Sequence, residues 1–425
     1  MIITGAAIVG GETADIRIVN DRITQIGTNL DPGTDEVIDA SGLIALPGLV
    51  DLHTHLREPG REDAETVLSG SRAAAAGGYT CVHAMANTFP VSDTAGVVEQ
   101  VQRLGEDAGY TEVRPVGAVT VGLAGAQLAE LGAMNTSRAN VTMFSDDGMC
   151  VWDPLIMRRA LEYVKSFDGI IAQHAQEPRL TEGAQMHEGD VSAEVGLAGW
   201  PAVAEESIIA RDCLLAQHVD SRLHILHVST AGSVELIRWA KAQGIRVTAE
   251  ATPHHLSLDH TLARSYDPRY KVNPPLRTAR DIAALKAGLA DGTIDTVGTD
   301  HAPHPLEAKD CEWGAGAFGM TGLETALAVI HKELVLPGLL DWAGVARVMS
   351  TAPAEIGGVA DQGKLEEGAV ANLCLYNPND PYVVDAQERE SKSVNTPYVG
   401  LELPGRVVHT IFRGRAVKKN GQVVA

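Results

Sequence analysis

The chain has 425 residues, 45% hydrophobic and 21% charged, which suits a globular enzyme with one large domain and a smaller companion. Its 34 Lys and Arg against 55 Asp and Glu give a formal charge of −21, which argues against nucleic acid or an anionic membrane as a partner. No run approaches about 18 apolar residues, so no transmembrane helix is expected, and Met1-Ile2-Ile3-Thr4-Gly5 lacks the basic start of a secretory signal.

Five scattered cysteines without a C-x-x-C suit a reducing cytoplasm, and each is expected to be a small buried apolar residue.

Residues 1–46 read as short strands: Ala14 to Val19 alternates, and Asn20-Asp21 marks a turn. Eight apolar segments follow: Pro47–His53, Tyr79–Ala86, Val113–Val119, Val141–Ser145, Ile170–Gln173, Leu223–Val228, Arg246–Ala251 and Thr296–Thr299. Helical signals lie between most of them. Val97, Val101 and Leu104 recur at helical spacing, and Ser233 is the expected N-cap of a helix that carries Val234 and Ile237 and stops before Gly244. Strand followed by helix, eight times over, predicts an α/β fold: a (β/α)8 barrel of the TIM type over residues 47–358. An open doubly wound sheet would more usually carry a Gly-rich phosphate turn after its first strand, and none is present. Residues 359–425 resemble the start of the chain, with strand-like runs at Ala371–Tyr376 and Val407–Phe412. Neither flank can hold a core alone, so the two are expected to meet as one small composite β-sandwich.

In such a barrel the reactive groups stand where strands end at one face. Most of the 15 histidines fall at these ends. The first strand ends in His53-Thr54-His55, whose imidazoles share a face because side chains alternate along a strand; Arg57 points the same way and suits an anionic substrate. The other ends carry Asn87, Asp146-Asp147, His174, His227, His254-His255, and Asp300-His301 with His304. Four imidazoles and two carboxylates suffice for two divalent ions, and that donor set suits zinc. Barrels with two metals often bridge them with a modified lysine after strand four. The first lysine here is Lys165, inside the helical run after Asp153-Pro154, so a carboxylate must serve, and Asp146-Asp147 is the only candidate pair.

Asp51 to Gly60 (DLHTHLREPG), Ala251 to Leu256 (ATPHHL), Gly298 to His304 (GTDHAPH) and Ser393 to Pro397 (SVNTP) resemble the signatures of the amidohydrolase superfamily, and within it class I dihydroorotases. The resemblance covers nearly the whole chain. It implies reversible, zinc-dependent hydrolysis of dihydroorotate to N-carbamoyl-L-aspartate in pyrimidine biosynthesis. His53, His55 and Asp300 would hold one zinc, His174 and His227 a second, and Asp147 would bridge them, with one or two ions per subunit. Asp300 would also shuttle the proton. Arg57, Asn87 and His304 would contact the substrate carboxylate and Asn273 the ring amide. Ala317, Phe318 and Gly319 would supply backbone contacts from a loop, Trp313 to Gly322, that reads as mobile. His254, His255 and His301 exceed the ligand count and read as orienting or packing residues, and His83 and His224 as structural.

A cytoplasmic homodimer is implied, with association with aspartate transcarbamoylase an open possibility. Two departures from the family pattern are Ala86 in place of proline, which would loosen the Asn87 loop, and Asn372 in place of aspartate. The rival readings are a hydantoinase or allantoinase, whose relatives carry the lysine bridge, and a non-catalytic partner of aspartate transcarbamoylase.

Overall fold

Eight parallel strands carry the middle of the chain, one within or overlapping each apolar segment of the sequence. The computed structural model, which describes residues 1–424, places them at Leu49–Thr54, Tyr79–Ala84, Glu112–Pro115, Met143–Phe144, Ile170–Gln173, Arg222–Ile225, Val247–Ala251 and Thr296–Val297. The first three pair in order. A parallel bridge between Gly117 and Phe144 leads to the fourth, and pairing then runs through to the eighth. A further parallel bridge, Thr54 to His301, returns from the eighth strand's end to the first.

Helices alternate with these strands, including Val67–Gly77, Ala95–Ala108, Pro154–Lys165, Val203–Val219, Ala231–Ala242 and Ala279–Asp291. Local chemistry sets their ends. Thr66 forms a capping box with Ser69, and the Asp153 carboxylate accepts from the N–H groups of Leu155 and Ile156 ahead of Pro154. The cap of Ala231–Ala242 is Thr230, one turn before the expected Ser233. Ser233 lies in the first turn instead, where its N–H donates to the Thr230 hydroxyl. The last residue, Ala242, does precede Gly244, which turns the chain at φ +73°.

Alternation along the strands creates two apolar layers. Ile171, Leu223, Ile225, Val247, Ala249 and Val297 pack outward among helix residues such as Leu161, Ile209, Ile237 and Leu285. Leu52, Met85, Val116, Met143, Ala172 and Leu226 form a separate cluster closed by Ile356.

Both ends of the chain meet in one nine-stranded sheet. Ile44–Pro47 from the N-terminal flank pairs antiparallel with Leu373–Asn377 from the C-terminal flank, and Arg406–Phe412 continues the sheet. Ile3, Ile16, Ile18, Ile23, Leu373, Leu375 and Ile411 share its core. Asn372 ties the C-terminal flank together: its amide donates to the Asp361 carbonyl while its oxygen accepts from the Arg413 N–H. An aspartate there would lose the donor. Four cysteines are buried as expected, but Cys311 is partly exposed. Among the described residues no helix is long and apolar enough to cross a membrane.

Candidate metal centre

The strand ends bring His53, His55, Asp147, His174, His227 and Asp300 together, all buried. Asp147 lies between two groups: its donor atoms and those of His53 and His55 lie within 4.8 Å of one another, as do those of Asp147, His174 and His227. Asp147 Oδ1 is 3.5 Å from His53 Nε2, 3.4 Å from His174 Nδ1 and 3.5 Å from His227 Nε2, and Oδ2 is 3.3 Å from His55 Nε2. Asp300 Oδ1 is 3.5 Å from His53 Nε2 and 3.1 Å from His55 Nε2. Donors arranged tetrahedrally about 2.0–2.1 Å from one cation stand about 3.3–3.4 Å apart, so this spacing matches a shared ion better than direct hydrogen bonds. Two of these atoms, His53 Nε2 and Asp147 Oδ1, are buried without any hydrogen-bond partner. Native interiors rarely leave such atoms unpaired, and a cation would satisfy both. His174 Nδ1 and His227 Nε2 are closer, at 2.7 Å.

The far side of each imidazole decides which nitrogen offers its lone pair. His53 Nδ1 is 2.6 Å from Glu250 Oε1, His55 Nδ1 is 2.9 Å from Asn87 Oδ1, and His174 Nε2 is 2.7 Å from Gln176 Oε1. These oxygens only accept, so the facing nitrogens carry the protons and the others present lone pairs to the centre. Glu250 also accepts from His224 Nε2 and the His227 N–H. Asp51 accepts from the N–H groups of His53 and Thr299 and from the Thr299 hydroxyl. Three site residues have left-handed backbones: Arg57 at φ +62°, His227 at +31° and Asp300 at +46°, a strain that collects at functional sites.

Electrostatics follows from burial and crowding. Burial alone would raise the Asp147 and Asp300 carboxyls, but His53 and the neighbouring imidazoles hold both well below the usual carboxylate range. Burial likewise opposes charge on His53, yet without a cation Asp147, Asp300 and Glu250 push it well above the ordinary histidine value, and a cation at Nε2 would take that proton's place.

A cleft of about 260 Å³ opens on this cluster, lined by His55, Asp147, His174 and Asp300 together with Arg57, Asn87, Asn273, His304, Phe318 and Gly319. Arg57 Nε donates to the Pro303 carbonyl, and His304 Nε2 lies 2.8 Å from the Phe318 carbonyl. Burial first, then Arg57, pushes His304 down to about 3, so it is neutral near pH 7. Asn273 donates to Gln176, which leaves its own oxygen buried without a partner. Ala317 does not line this cleft. Its N–H donates to the Ala308 carbonyl, and its carbonyl accepts from Lys309.

Two family models match, one described as dihydro-orotase-like over residues 42–233 and one as amidohydrolase family over 220–418. A dihydroorotase of Streptomyces coelicolor is 65% identical over 423 residues, covering 99% of each chain. One from Leifsonia xyli is 64% identical over 100% of this chain and 97% of its own, and one from Mycobacterium tuberculosis 54% identical over 98% and 97%. The chain belongs to the dihydroorotase family. Among solved structures, an L-hydantoinase from Arthrobacter aurescens superposes with a TM-score of 0.89 at 27% identity, over 100% of this chain and 97% of that one. A dihydropyrimidinase from Brevibacillus agri gives a TM-score of 0.84 at 24% identity over 100% and 96%, a likeness of fold alone.

In this dihydroorotase-family chain several functional residues escaped sequence reasoning. Glu250 sits in a segment that reads as an apolar strand; its signal was a lone carboxylate on the face opposite Val247, Ala249 and Ala251. Gln176 joins His174 to Asn273, and nothing in its sequence context marks it. Among the surplus histidines, His301 lies 3.3 Å from Glu65 and passes its carbonyl to the His55 N–H. His255 bonds to Thr252 and the Pro274 carbonyl. His254 is buried, its Nε2 has no partner, and burial pushes it down to about 4. His83 meets the Asp51 carbonyl and His224 meets Thr248. Ala86 is buried, and its carbonyl accepts from the N–H groups of Thr88 and Ser92.

Proposed function

We infer that this protein is a metal-dependent dihydroorotase that opens dihydroorotate to N-carbamoyl-L-aspartate and closes it in the biosynthetic direction. The observation that carries the reading is Asp147 placed between two imidazole pairs at the floor of a cleft that also holds Arg57. The cyclic order of strand pairing supports a (β/α)8 barrel over residues 47–358, with residues 1–46 and 359–425 as its companion domain. The donor set fits zinc: His53, His55 and Asp300 would hold one ion, His174 and His227 a second, with Asp147 shared. Zinc bound there would supply Lewis acidity and a water acidic enough to attack at neutral pH.

The protein's own groups do the rest. The Arg57 fork pairs with the substrate carboxylate through parallel N–H bonds, assisted by the Asn87 amide, with His304 lining the pocket beside them, its one N–H given to the Phe318 carbonyl, and it selects against hydantoins and dihydropyrimidines that lack that group. The unpaired Asn273 oxygen accepts a ring N–H. The Phe318 N–H makes no hydrogen bond among the described residues and faces the substrate from the loop. Hydroxide from water adds to the ring carbonyl carbon, the bond from that carbon to the ring nitrogen breaks, and the nitrogen leaves as the ureido group. Asp300 takes the proton from the water and returns it to that nitrogen, so atoms and charge balance.

Assay of the purified protein on dihydroorotate, hydantoin and allantoin tests this, with metal content measured on the same sample. Turnover of dihydroorotate with bound zinc is expected. Rapid hydantoin turnover with negligible dihydroorotate turnover would overturn it. The same family resemblance supports a homodimer, which light scattering would report as twice 44.9 kDa.

A further inference from the structure

Two buried lysines lie behind the cleft without carboxylate partners. Lys309 is 5% exposed and Lys271 is 2% exposed. Burying an ammonium is costly unless its protons are all bonded. Lys309 Nζ meets that requirement with three backbone carbonyls: Pro268 at 2.9 Å, Lys271 at 3.0 Å and Ala317 at 2.6 Å. Lys271 Nζ holds the Trp313 carbonyl at 2.8 Å and lies 4.6 Å from the centre of the Phe318 ring. The segment from Trp313 to Gly319 is therefore clamped by two positive charges. The Gly319 N–H donates to the Lys271 carbonyl, and the Phe318 carbonyl faces His304. Of the three carbonyls on Lys309, only Ala317 belongs to this segment. An ammonium has three N–H donors for three acceptors, whereas a neutral amine has two and must release one.

We propose that Lys309 is a positioning residue for the reaction: its ammonium fixes the Ala317 carbonyl, and so holds the Phe318 peptide and His304 in the geometry that receives the substrate carboxylate and ring. This rests on the function proposed above. Burial, then Lys271, pushes Lys309 down to about 7, while Cys311 and Asp267 push the other way. Arg269, Asp310 and His304 complete the charged and titratable surroundings of the adjoining cavity. Because the charged form makes the clamp, hold on the loop is complete below that value and weakens as pH rises through it.

The test compares wild type with Lys309→Met and Lys309→Arg in KM and kcat for dihydroorotate from about pH 6 to 9, in metal content, and in hydrogen exchange of residues 313–319. Losing one charge-assisted hydrogen bond should raise KM about tenfold in Lys309→Met, with kcat changed much less and metal retained. Wild-type KM should climb with pH, the Met variant should lose that climb, and the Arg variant, charged throughout, should recover part of the affinity. Exchange at 313–319 should quicken in the Met variant while the strands stay protected. If the variants do not fold, the wild type still decides: protection at 313–319, corrected for intrinsic rates, should fall above neutral pH. A Met variant with wild-type KM, pH profile and loop exchange, or wild-type loop protection unchanged with pH, would overturn the proposal. Failure of the wild type to turn over dihydroorotate would sink the functional reading instead, while the exchange data would still judge the lysine.

Discussion

Asp300 and Glu250 are both buried carboxylates on imidazoles, but they face opposite sides of His53. Asp300 borders the cleft, whereas Glu250 lies behind, 2.6 Å from His53 Nδ1. Asp300→Asn should therefore cut kcat by about 10²- to 10⁴-fold through loss of the proton shuttle. Metal analysis should still find ions, because the imidazoles remain; unchanged kinetics would refute the shuttle. Glu250→Gln should act on the ligand and not on the proton. It removes the charge that orients His53, and metal affinity should fall about 10- to 100-fold in a chelator competition. The difference in legibility is physical. Asp300 stands at a strand end in a cluster of histidines, a context that marks chemistry. Glu250 stands mid-strand, and only the period-2 pattern reveals that it points inward with Thr248, away from Val247 and Ala249. Gln176 carries no such pattern, because its role comes from a fold that sets it between His174 and Asn273.

The 313–319 loop contributes Phe318 and Gly319 to the cleft lining. Gly319 has φ +139°, and a Cβ there would stand 2.8 Å from His304 Nε2 and 2.9 Å from the Ala302 Cβ. Gly319→Ala is expected to displace His304 from the Phe318 carbonyl and raise KM about three- to tenfold, with kcat less affected. Steady-state kinetics check this, and an unchanged KM would mean that the loop yields without cost. Helices and strands were legible where apolar spacing was regular, as in Ala95–Ala108 and Ile170–Gln173. The loop was not. Its tethers, Lys271 and Lys309, are lysines whose burial no local pattern announces, since a lysine in sequence reads as solvent-facing. The cap of Ala231–Ala242 was misread for a related reason: Thr230 and Ser233 are both good caps, and the strand end before them decides which one starts the helix.

At the scale of the whole molecule, the candidate metal set is assembled from segments that share no local sequence. His55 and Asp300 are 245 positions apart and 3.1 Å apart in space. The parallel bridge between Thr54 and His301 makes that approach possible, and sequence alone could supply its parts but not their closure. His53 and His55 share the first strand's end and the other four candidate ligands follow the fourth, fifth, sixth and eighth strands, so ions bound there would cross-link five strands. An ion bound only by the folded chain stabilises it by mass action, by about 2.7 kcal/mol when free metal is a hundredfold above Kd. Removing it also returns His53 Nε2 and Asp147 Oδ1 to the state of unpaired buried atoms. Chelation should therefore abolish turnover and lower Tm by at least a few degrees, with both recovered when zinc is restored. Differential scanning calorimetry with and without chelator reads the shift. A chelated sample free of metal by elemental analysis, with the original Tm and full activity, would show that these strand ends meet without a cation between them.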